Sequence, residues 1–295
     1  MKINKLKIYI YRYIISGIYS IIYPLKRRNL DYTIMNSMET IDFIIKNRVS
    51  VSRYGDGEYD LINRCGNGFQ KDNEELSAKL AHILANPIPN HLICIPLALN
   101  NVKGLRLRSK LFWMSFVARK SELVYKNTRK GDIYGNSLFT RFYIIMGDRR
   151  TSPQIANHIK QIWQGRNVCI VEGENTRLGV GNDLLEGANN ICRILCPSKN
   201  AYDKYNKIRE VVNTKIPKNT LILCALGMTA TALAYDLSID GYQAIDIGHV
   251  DIEYIWMKMG AKSQCSVQGK YVNEAPSMEP IEEIISESDQ ILCKV

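Results

Sequence analysis

The stretch VCIVEGENTRLGVGND, residues 168–183, combines the two features that decide the fold. It opens with an apolar, β-rich run and continues into a polar loop with three glycines. Strand-like and helix-like segments alternate in this way as far as residue 247. The β-rich runs lie at residues 168–171, 191–196, 221–225 and 244–247, and the helical patterns lie at residues 183–188, 201–212 and 229–237. Strands that alternate with helices at this spacing predict an α/β fold with a Rossmann-like, mostly parallel sheet and helices on both faces.

The first half of the chain has a less regular pattern. It predicts helices at residues 37–46 and 73–85 and strands at residues 48–54 and 92–99. No internal repeat or low-complexity linker divides the chain, and 46% hydrophobic residues suffice for a buried core. We therefore predict a single folded domain over residues 31–295, preceded by a basic amphipathic segment of residues 1–30.

The net charge of +10 is concentrated at one end of the chain. Residues 1–30 contain seven basic residues and no acidic one, whereas the rest is close to balanced. A nucleic-acid-binding surface would spread basic residues over the folded domain, so this pattern argues against a nucleic-acid partner. The eight cysteines include no CxxC pair and no Cys/His cluster at zinc spacing, which predicts reduced thiols and a cytoplasmic protein.

Residues 1–30 have the pattern of a helix that lies on a surface. The uncharged run at residues 13–25 is shorter than the roughly 20 residues that span a bilayer. At about 100° per residue one face carries the apolar side chains of Tyr11, Ile15, Ile18 and Ile22. One interpretation is an interfacial helix on the anionic inner face of the cell membrane. The other is a helix that packs on the folded domain or on a partner subunit of a homo-oligomer.

Polar, glycine-rich segments follow the predicted strands of the second half, at residues 172–183, 197–200, 227–231 and 248–253. Ligands bind at the carboxyl ends of parallel strands, so these segments carry the candidate site. The loop with Arg177 and a helix start near Asn182 are suited to an anion such as phosphate. Thr229 opens a helix in the same way, and Glu172 and Asn200 lie in the neighbouring segments. The alternative is a set of tight turns in which Asn182 and Thr229 only cap helices.

Residues 51–63, VSRYGDGEYDLIN, hold two acids beside two glycines at the end of a strand-like run. On an extended backbone Asp56 and Glu58 point the same way and present two hard oxygen ligands to one Mn²⁺ or Mg²⁺ ion. The glycines leave room for a phosphate or a sugar, and Arg53 adds a cation suited to phosphate. A surface turn in which Asp56 hydrogen-bonds its own backbone is the alternative.

The run His249-Val-Asp251-Ile-Glu253 alternates polar and apolar residues. Alternation predicts an extended segment with the three polar side chains on one face. Such a trio can supply a metal-coordinating imidazole and a carboxylate base. A buried, hydrogen-bonded histidine with two solvated acids is the alternative.

Five stretches resemble bacterial glycosyltransferases of the GT-D fold, a family once catalogued as a domain of unknown function. They are RYGDGE (53–58), VEGENTRLGVGNDLLEGA (171–188), RILCPSKNAYDKY (193–205), ALGMTATALAYDL (225–237) and GYQAIDIGHVDIEY (241–254). The resemblance implies that the main domain is catalytic and moves a sugar from a nucleotide donor, typically a UDP-sugar, to a glycan or lipid-linked glycan acceptor in surface-polysaccharide or glycoprotein synthesis. Asp56 and Glu58 would serve the divalent cation and the donor diphosphate, with Tyr54 and Gly55 in the same donor-binding stretch.

Two positions depart from the family pattern. The family usually reads LGPTAT and EYEW where this chain has Met228 and Ile255, so a base supplied by the second acid of EYEW is missing. We therefore expect Asp251 or Glu253 to take the proton of the acceptor hydroxyl. Two other classes remain open. One is an S-adenosylmethionine-dependent methyltransferase with residues 172–181 around its cofactor and no metal, and the other is a non-catalytic, membrane-associated scaffold.

Overall fold

The computed structural model describes the backbone of residues 2–27, 32–270 and 289–295, and the side chains of these residues except 2–9, 11, 12 and 16. Within these residues one sheet contains nine strands: β1 (Thr33–Ile34), β2 (Ser50–Arg53), β3 (His91–Ile95), β4 (Ile133–Asn136), β5 (Asn167–Gly173), β6 (Asn190–Cys196), β7 (Leu221–Ala225), β8 (Gln243–Asp246) and β9 (Ile291–Lys294). Their order is β1-β4-β3-β2-β8-β7-β5-β6-β9, and each pairing between these strands is parallel.

Nine α-helices accompany the sheet in the described part of the chain. They are α1 (Lys2–Lys26), α2 (Ser37–Asn47), α3 (Asp56–Ile62), α4 (Glu74–Ala85), α5 (Leu107–Asn127), α6 (Ser152–Lys160), α7 (Tyr205–Lys215), α8 (Met228–Ile239) and α9 (Val250–Lys258). Side-chain caps fix several of these boundaries. At α2, Asn36 Oδ1 accepts from Glu39 N at 3.0 Å and Glu39 Oε2 accepts from Asn36 N at 2.7 Å, which is a complete capping box.

Alternate residues of the strands enter two separate apolar layers. In β5, Cys169 and Val171 lie in one layer, and Val168 and Ile170 lie in the other. Residues of α4, α5, α7 and α8 complete the first layer, and residues of α2, α6 and α9 complete the second. The predicted α/β fold, a parallel sheet with helices on both faces, is therefore confirmed.

The strand order contains two places where the connections from neighbouring strands diverge, so that they lead away from each other. From β2 the chain continues to β3 on one side, whereas from β8 it continues towards β9 on the other. From β5 it continues to β6, whereas from β7 it continues to β8. In open parallel sheets such switch points leave a crevice at the carboxyl ends of the strands, and ligands bind there. A binding site is therefore expected at the carboxyl ends of β2 and β8 or of β7 and β5.

The N-terminal helix packs on α5. Tyr23 is buried, the Tyr125 hydroxyl donates to the Lys26 carbonyl, and Arg27 Nη1 donates to Asn100 O at 2.7 Å. Ile15 and Ile22 are half-buried and Ile18 is exposed on this docked helix, and the packing agrees with the predicted alternative of a helix that lies on the folded domain. Tyr11 and residues 28–30 of the predicted segment lie outside the described side chains and residues. Over the described residues, no helix combines the length and hydropathy that crossing a membrane requires.

Three short segments differ from their predicted conformation. Residues 183–188 form turns instead of a helix. Gly187 adopts a φ of +95°, which is not helical, and the Trp163 indole N–H donates to the Leu184 carbonyl at 3.0 Å, which a helix would use for its own hydrogen bond. The segments around residues 56–58 and 249–253, predicted as extended, contain the starts of α3 and α9. Acidic residues are favoured in the first helical turn by the helix dipole, and both helices have two of them there.

Candidate active site at the carboxyl ends of the strands

Arg53, the last residue of β2, is fixed against the end of β8. Its Nη2 forms an ion pair with Asp246 Oδ1 at 2.8 Å, and its Nε donates to Asp246 O at 2.8 Å. Its Nη1 donates to Thr140 Oγ1 at 2.8 Å. Thr231 Oγ1 of α8 lies 3.1 Å from Asp246 Oδ2 and 2.9 Å from Arg53 O. These four residues form one polar group at the β2/β8 switch point, which we call the Arg53 cluster.

Gly248 makes the room in which the Arg53 guanidinium lies. A Cβ atom at Gly248 would stand 1.7 Å from Arg53 Nη2, and the residue has a φ of +46°. A side chain here would therefore displace Arg53 in addition to straining the backbone.

Glu58 extends the charge of this cluster. Its side chain is buried, and its Oε2 accepts from Gly55 N at 2.7 Å. Burial, and then the nearby Asp246 carboxylate, raise the pKa of Glu58 to about 7. Burial also raises the pKa of Asp246, while Arg53 opposes that rise. Two carboxylates and one arginine therefore share a desolvated space, and the charge of Arg53 offsets only one of the two acids.

Asp56 and Glu58 are arranged differently from the predicted extended pair. Because both lie in the first turn of α3, they are separated by about 200° around the helix axis, and the prediction that they point the same way was wrong. Asp56 is exposed, whereas Glu58 is buried. Among the residues that the structure describes, no group of three or more His, Cys, Asp or Glu side chains is arranged to hold a metal ion.

The two residues between Arg53 and Asp56 serve the scaffold. Tyr54 is fully buried, and its hydroxyl donates to Leu80 O at 2.8 Å, so its ring is part of the core. Gly55 contributes its backbone N–H to Glu58, and a Cβ atom at this position would stand 3.3 Å from Glu58 Oε2, so a side chain here would push the Glu58 carboxylate by a few tenths of an ångström.

A loop that the sequence patterns do not reveal, residues 63–73, covers the ends of β6 and β7. Asn200 Oδ1 accepts from Lys71 N at 2.9 Å, and Asn200 N donates to Phe69 O at 2.8 Å. The Thr229 hydroxyl, buried in the first turn of α8, lies 3.5 Å from Gln70 Oε1. Asn200 and Thr229 are thus both engaged with this loop, which borders the crevice.

Glu172, at the end of β5, holds the loop that follows it. Its carboxylate is fully buried and forms an ion pair with Arg193. Its Oε2 accepts from Leu178 N at 2.7 Å, and Arg193 Nη2 donates to Leu178 O at 2.9 Å. Burial raises the pKa of Glu172, and Arg193 opposes the rise. Both oxygens of Glu172 are therefore used inside the protein.

A second network joins the same loop to α9. Asp251 Oδ1 accepts from Gly179 N at 2.9 Å and from Asn182 Nδ2 at 2.8 Å, and Asp251 Oδ2 pairs with Lys270 at 2.5 Å. Arg177 has a φ of +52°, is buried, and donates from Nη1 to Gly269 O at 3.1 Å. Because residues 183–188 are not helical, Asn182 starts no helix and binds no anion by that route.

Glu253 holds a different loop. Its fully buried Oε2 accepts from Tyr143 N at 3.0 Å and from Ile144 N at 2.7 Å, and Arg141 Nη1 lies 3.6 Å from Oε1. His249 is half-exposed at the start of α9. Both interpretations of the His249–Glu253 alternation were therefore wrong in geometry, because the segment is not extended and its acids are buried instead of solvated.

The structure brings part of the predicted set together. Arg53, Gly55 and Glu58 meet at the β2/β8 switch point, where Asp246 is the central partner that the sequence analysis did not select. Arg177, Asn182 and Asp251 meet in the separate network beside β5, where Lys270 was not selected. The one signal for Asp246 is an acid at the end of an apolar strand, which is rare unless the acid is paired.

Comparison with known proteins adds the family. The family model described as "Glycosyltransferase GT-D fold" matches residues 51–275. The chain is 37% identical over 243 residues to a probable glycosyl transferase, Gly, from Streptococcus gordonii, and 34% identical over 260 residues to the glycosyltransferase GlyD from Streptococcus pneumoniae serotype 4. These matches cover 82% and 87% of this chain but only 35% and 32% of the two relatives, so the chain spans about a third of their length.

Solved structures agree with this comparison over nearly the whole chain. One, described as the highly conserved domain of unknown function 1792 with a distinct glycosyltransferase fold, has a TM-score of 0.88, 34% identity and coverage of 92% of this chain and 99% of its own. Another, described as a new glycosyltransferase with this domain from Streptococcus sanguinis, has a TM-score of 0.85, 33% identity and coverage of 90% and 99%. The family match covers well over half of the residues, as the sequence resemblance predicted. The chain therefore belongs to the glycosyltransferases of the GT-D fold.

Proposed function

We propose that this protein transfers a sugar from a nucleotide-sugar donor, a UDP-sugar, to a glycan or lipid-linked glycan acceptor, using Mn²⁺ or Mg²⁺. Family membership supports the reaction class. The observation that carries the proposed location is the Arg53 cluster at a switch point of the sheet, where the Arg53–Asp246 ion pair lies beside the buried carboxylate of Glu58.

The acids of this region fit a divalent cation in their chemistry. Asp56 and Glu58 each offer hard oxygen atoms of the kind that Mn²⁺ and Mg²⁺ prefer, although they leave the first turn of α3 about 200° apart and form no ready-made pair. Glu58 has its pKa raised to about 7, so near neutral pH a bound cation would stabilise a carboxylate that burial and Asp246 destabilise. A bound cation would offset the negative charge that develops on the departing diphosphate.

The residues of the chain itself orient the donor. Asp246 holds the Arg53 guanidinium in one position, so the cation is preorganised to face phosphate without losing side-chain entropy on binding. At the β7/α8 junction Gly227 has a φ of +54°, and no side chain caps the first turn of α8, so the positive end of this helix suits a phosphate. The loop of residues 63–73 borders this junction through Gln70.

The geometry favours a positioning role over proton transfer for Asp251 and Glu253. A carboxylate whose oxygens accept backbone N–H bonds in a buried network cannot reach an acceptor hydroxyl without breaking that network. Asp251 and Glu253 hold residues 179–182 and 143–144, respectively. His249, which is half-exposed between the end of β8 and α9, lies nearer to the solvent than either acid.

A methyltransferase is the second class to be tested. It would use Glu172 and the loop after β5 for an adenosyl cofactor, but both oxygens of Glu172 are taken by Arg193 and Leu178. Thermal unfolding with UDP plus Mn²⁺, with S-adenosylmethionine and with buffer separates the classes. We expect stabilisation by UDP plus Mn²⁺ alone, of about 2.7 kcal/mol at a hundredfold excess over Kd. Stabilisation by S-adenosylmethionine would overturn the proposal, and no stabilisation by either ligand would favour a scaffold.

A further inference from the structure

α1 presents a continuous apolar stripe to the solvent. Its members, each between 51% and 74% exposed, are Ile10, Ile14, Ile18, Ile21 and Leu25. At 100° per residue they lie within about 80° of the helix circumference. Tyr23 points to the opposite side, where it is buried against the body of the protein. We call these five residues the α1 stripe.

The stripe is displayed on a helix that is fixed to the folded domain. Lys26 pairs with Glu122 at 3.4 Å, and the Arg119 guanidinium lies 5.9 Å from the centre of the Tyr19 ring. The Tyr125 hydroxyl bonds the Lys26 carbonyl. α1 has therefore already buried one face on α5, and its apolar stripe is a second face that the described residues leave uncovered. Contiguous exposed apolar surface of this kind marks an interaction site.

The charge of the same segment identifies the partner. Residues 1–30 contain seven basic residues and no acid, and five of the seven belong to α1. Two copies of the chain joined through their stripes would bring two such segments together with no acid in either to offset them. An anionic bilayer instead attracts the basic residues of this segment while its acyl region accepts the apolar stripe.

We infer that the α1 stripe docks on an anionic lipid bilayer, with the helix lying along the surface. This inference does not rest on the proposed function, since it concerns a helix outside the strand-end site. It differs from a simple electrostatic attraction, because it requires both the apolar stripe and the basic residues of the segment.

The first test separates the stripe from exposed isoleucines in general. The double variant Ile14→Gln and Ile21→Gln is compared with a matched control, Ile133→Gln and Ile239→Gln, whose residues are 66% and 58% exposed outside α1. The full chain is sedimented with vesicles of phosphatidylglycerol and phosphatidylcholine in equal parts. We expect the stripe variant to lose at least about tenfold in partition coefficient, and the control to stay within about twofold of the native chain. Unchanged melting temperatures confirm that both variants fold, and equal binding by both variants would overturn the inference.

The second test concerns charge and the competing occupant. We expect the native chain to bind vesicles of phosphatidylcholine alone at least about tenfold more weakly, and added salt to weaken binding to anionic vesicles. Equal binding to both vesicle types would contradict the role of the basic residues. Sedimentation velocity without lipid measures the oligomeric state. If the native chain is a dimer that Ile14→Gln and Ile21→Gln dissociate, and it ignores anionic vesicles, the stripe is a subunit interface and the inference is wrong.

Discussion

Arg53 and Asp246 join the ends of β2 and β8 through an ion pair at 2.8 Å, although 193 positions separate them in the chain. The pair is nearly excluded from solvent, and Glu58 adds a second carboxylate that no arginine fully offsets. A preorganised guanidinium beside buried acids at a sheet switch point is the arrangement on which the proposed donor site rests.

Replacing Asp246 should destabilise the protein and weaken donor binding. Asp246→Asn leaves the buried Arg53 without its counter-charge, and breaking one side of a buried pair costs about 3–5 kcal/mol. The matched control is Asp148→Asn, whose partner Arg150 is largely exposed, so this substitution should leave the free energy of unfolding nearly unchanged. Urea unfolding of the two variants gives both values. Equal destabilisation would show that the Arg53–Asp246 pair contributes no more than a surface pair.

Glu58 should make stability fall as the pH rises from about 4.5 to about 7. Its folded pKa of about 7 lies above the value of 4.5 for an unperturbed Glu, so over this window the folded state binds more protons than the unfolded state. That stabilisation is complete at acid pH and is lost as Glu58 ionises. The difference between the native chain and Glu58→Gln should change by about 3 kcal/mol across the window.

Metal binding should reverse this effect of Glu58. A divalent cation favours the carboxylate, so Mn²⁺ binding at a pH near 6 should release a proton from the native chain and none from Glu58→Gln. Calorimetric titration in two buffers of different ionisation enthalpy measures the released protons. Identical proton release from both proteins would exclude Glu58 as the group that responds to the metal.

Gly248→Ala should remove Arg53 from its position. Gly241→Ala is the matched control, because Gly241 also has a positive φ, +89°, but nothing lies within 4 Å of its added Cβ. The control should show only the backbone cost of about 1–2 kcal/mol, whereas Gly248→Ala should cost more and lower the affinity for UDP with Mn²⁺. If the two alanine variants bind UDP equally well, the position of Arg53 does not matter for the donor.

Asp251→Asn should lower the free energy of unfolding, because it leaves the buried ammonium group of Lys270 without its counter-charge. The double variant Asp251→Asn with Lys270→Met removes both charges and should recover most of the lost free energy of unfolding, since a neutral pair can replace a buried ion pair. Transfer activity should recover with stability if Asp251 only positions residues 179–182. A double variant that is stable, binds donor and yet is inactive would identify Asp251 as the catalytic base instead.

The sequence predicts the sheet far better than it predicts the site. β7 has the predicted bounds, Leu221–Ala225, because a fully buried parallel strand is a continuous apolar run that is hard to mistake. β1 was not predicted, because a strand of two residues shows no periodicity. β4 was not predicted, because its four residues, Ile133–Asn136, end in glycine and asparagine, which are depleted in strands. The alternation at residues 56–58 and 249–253 was misleading, since three to five residues are too few to separate an extended segment from the first turn of a helix.

The site depends on partners that local patterns do not contain. Asp246 with Arg53, Glu172 with Arg193, and Asp251 with Lys270 are pairs whose members belong to different elements. Because ligands bind at the carboxyl ends of parallel strands, the sequence pattern places the acid of each pair near the site. It does not show in which direction the side chain of that acid points. Orientation decides function here, because it turns Glu172 and Asp251 inward to hold loops and leaves the Arg53 cluster at the switch point.

The release of UDP from a panel of UDP-sugars by the full chain, measured with Mn²⁺ and with a chelator, tests whether the end of β2 forms a metal-assisted donor site. We expect turnover of at least one UDP-sugar that requires the metal, and a loss of at least about tenfold in Asp56→Asn, whose side chain is exposed and whose melting temperature reports whether the variant folds. Turnover that is equal with the chelator, or equal in Asp56→Asn, would contradict a metal-assisted donor site at the end of β2.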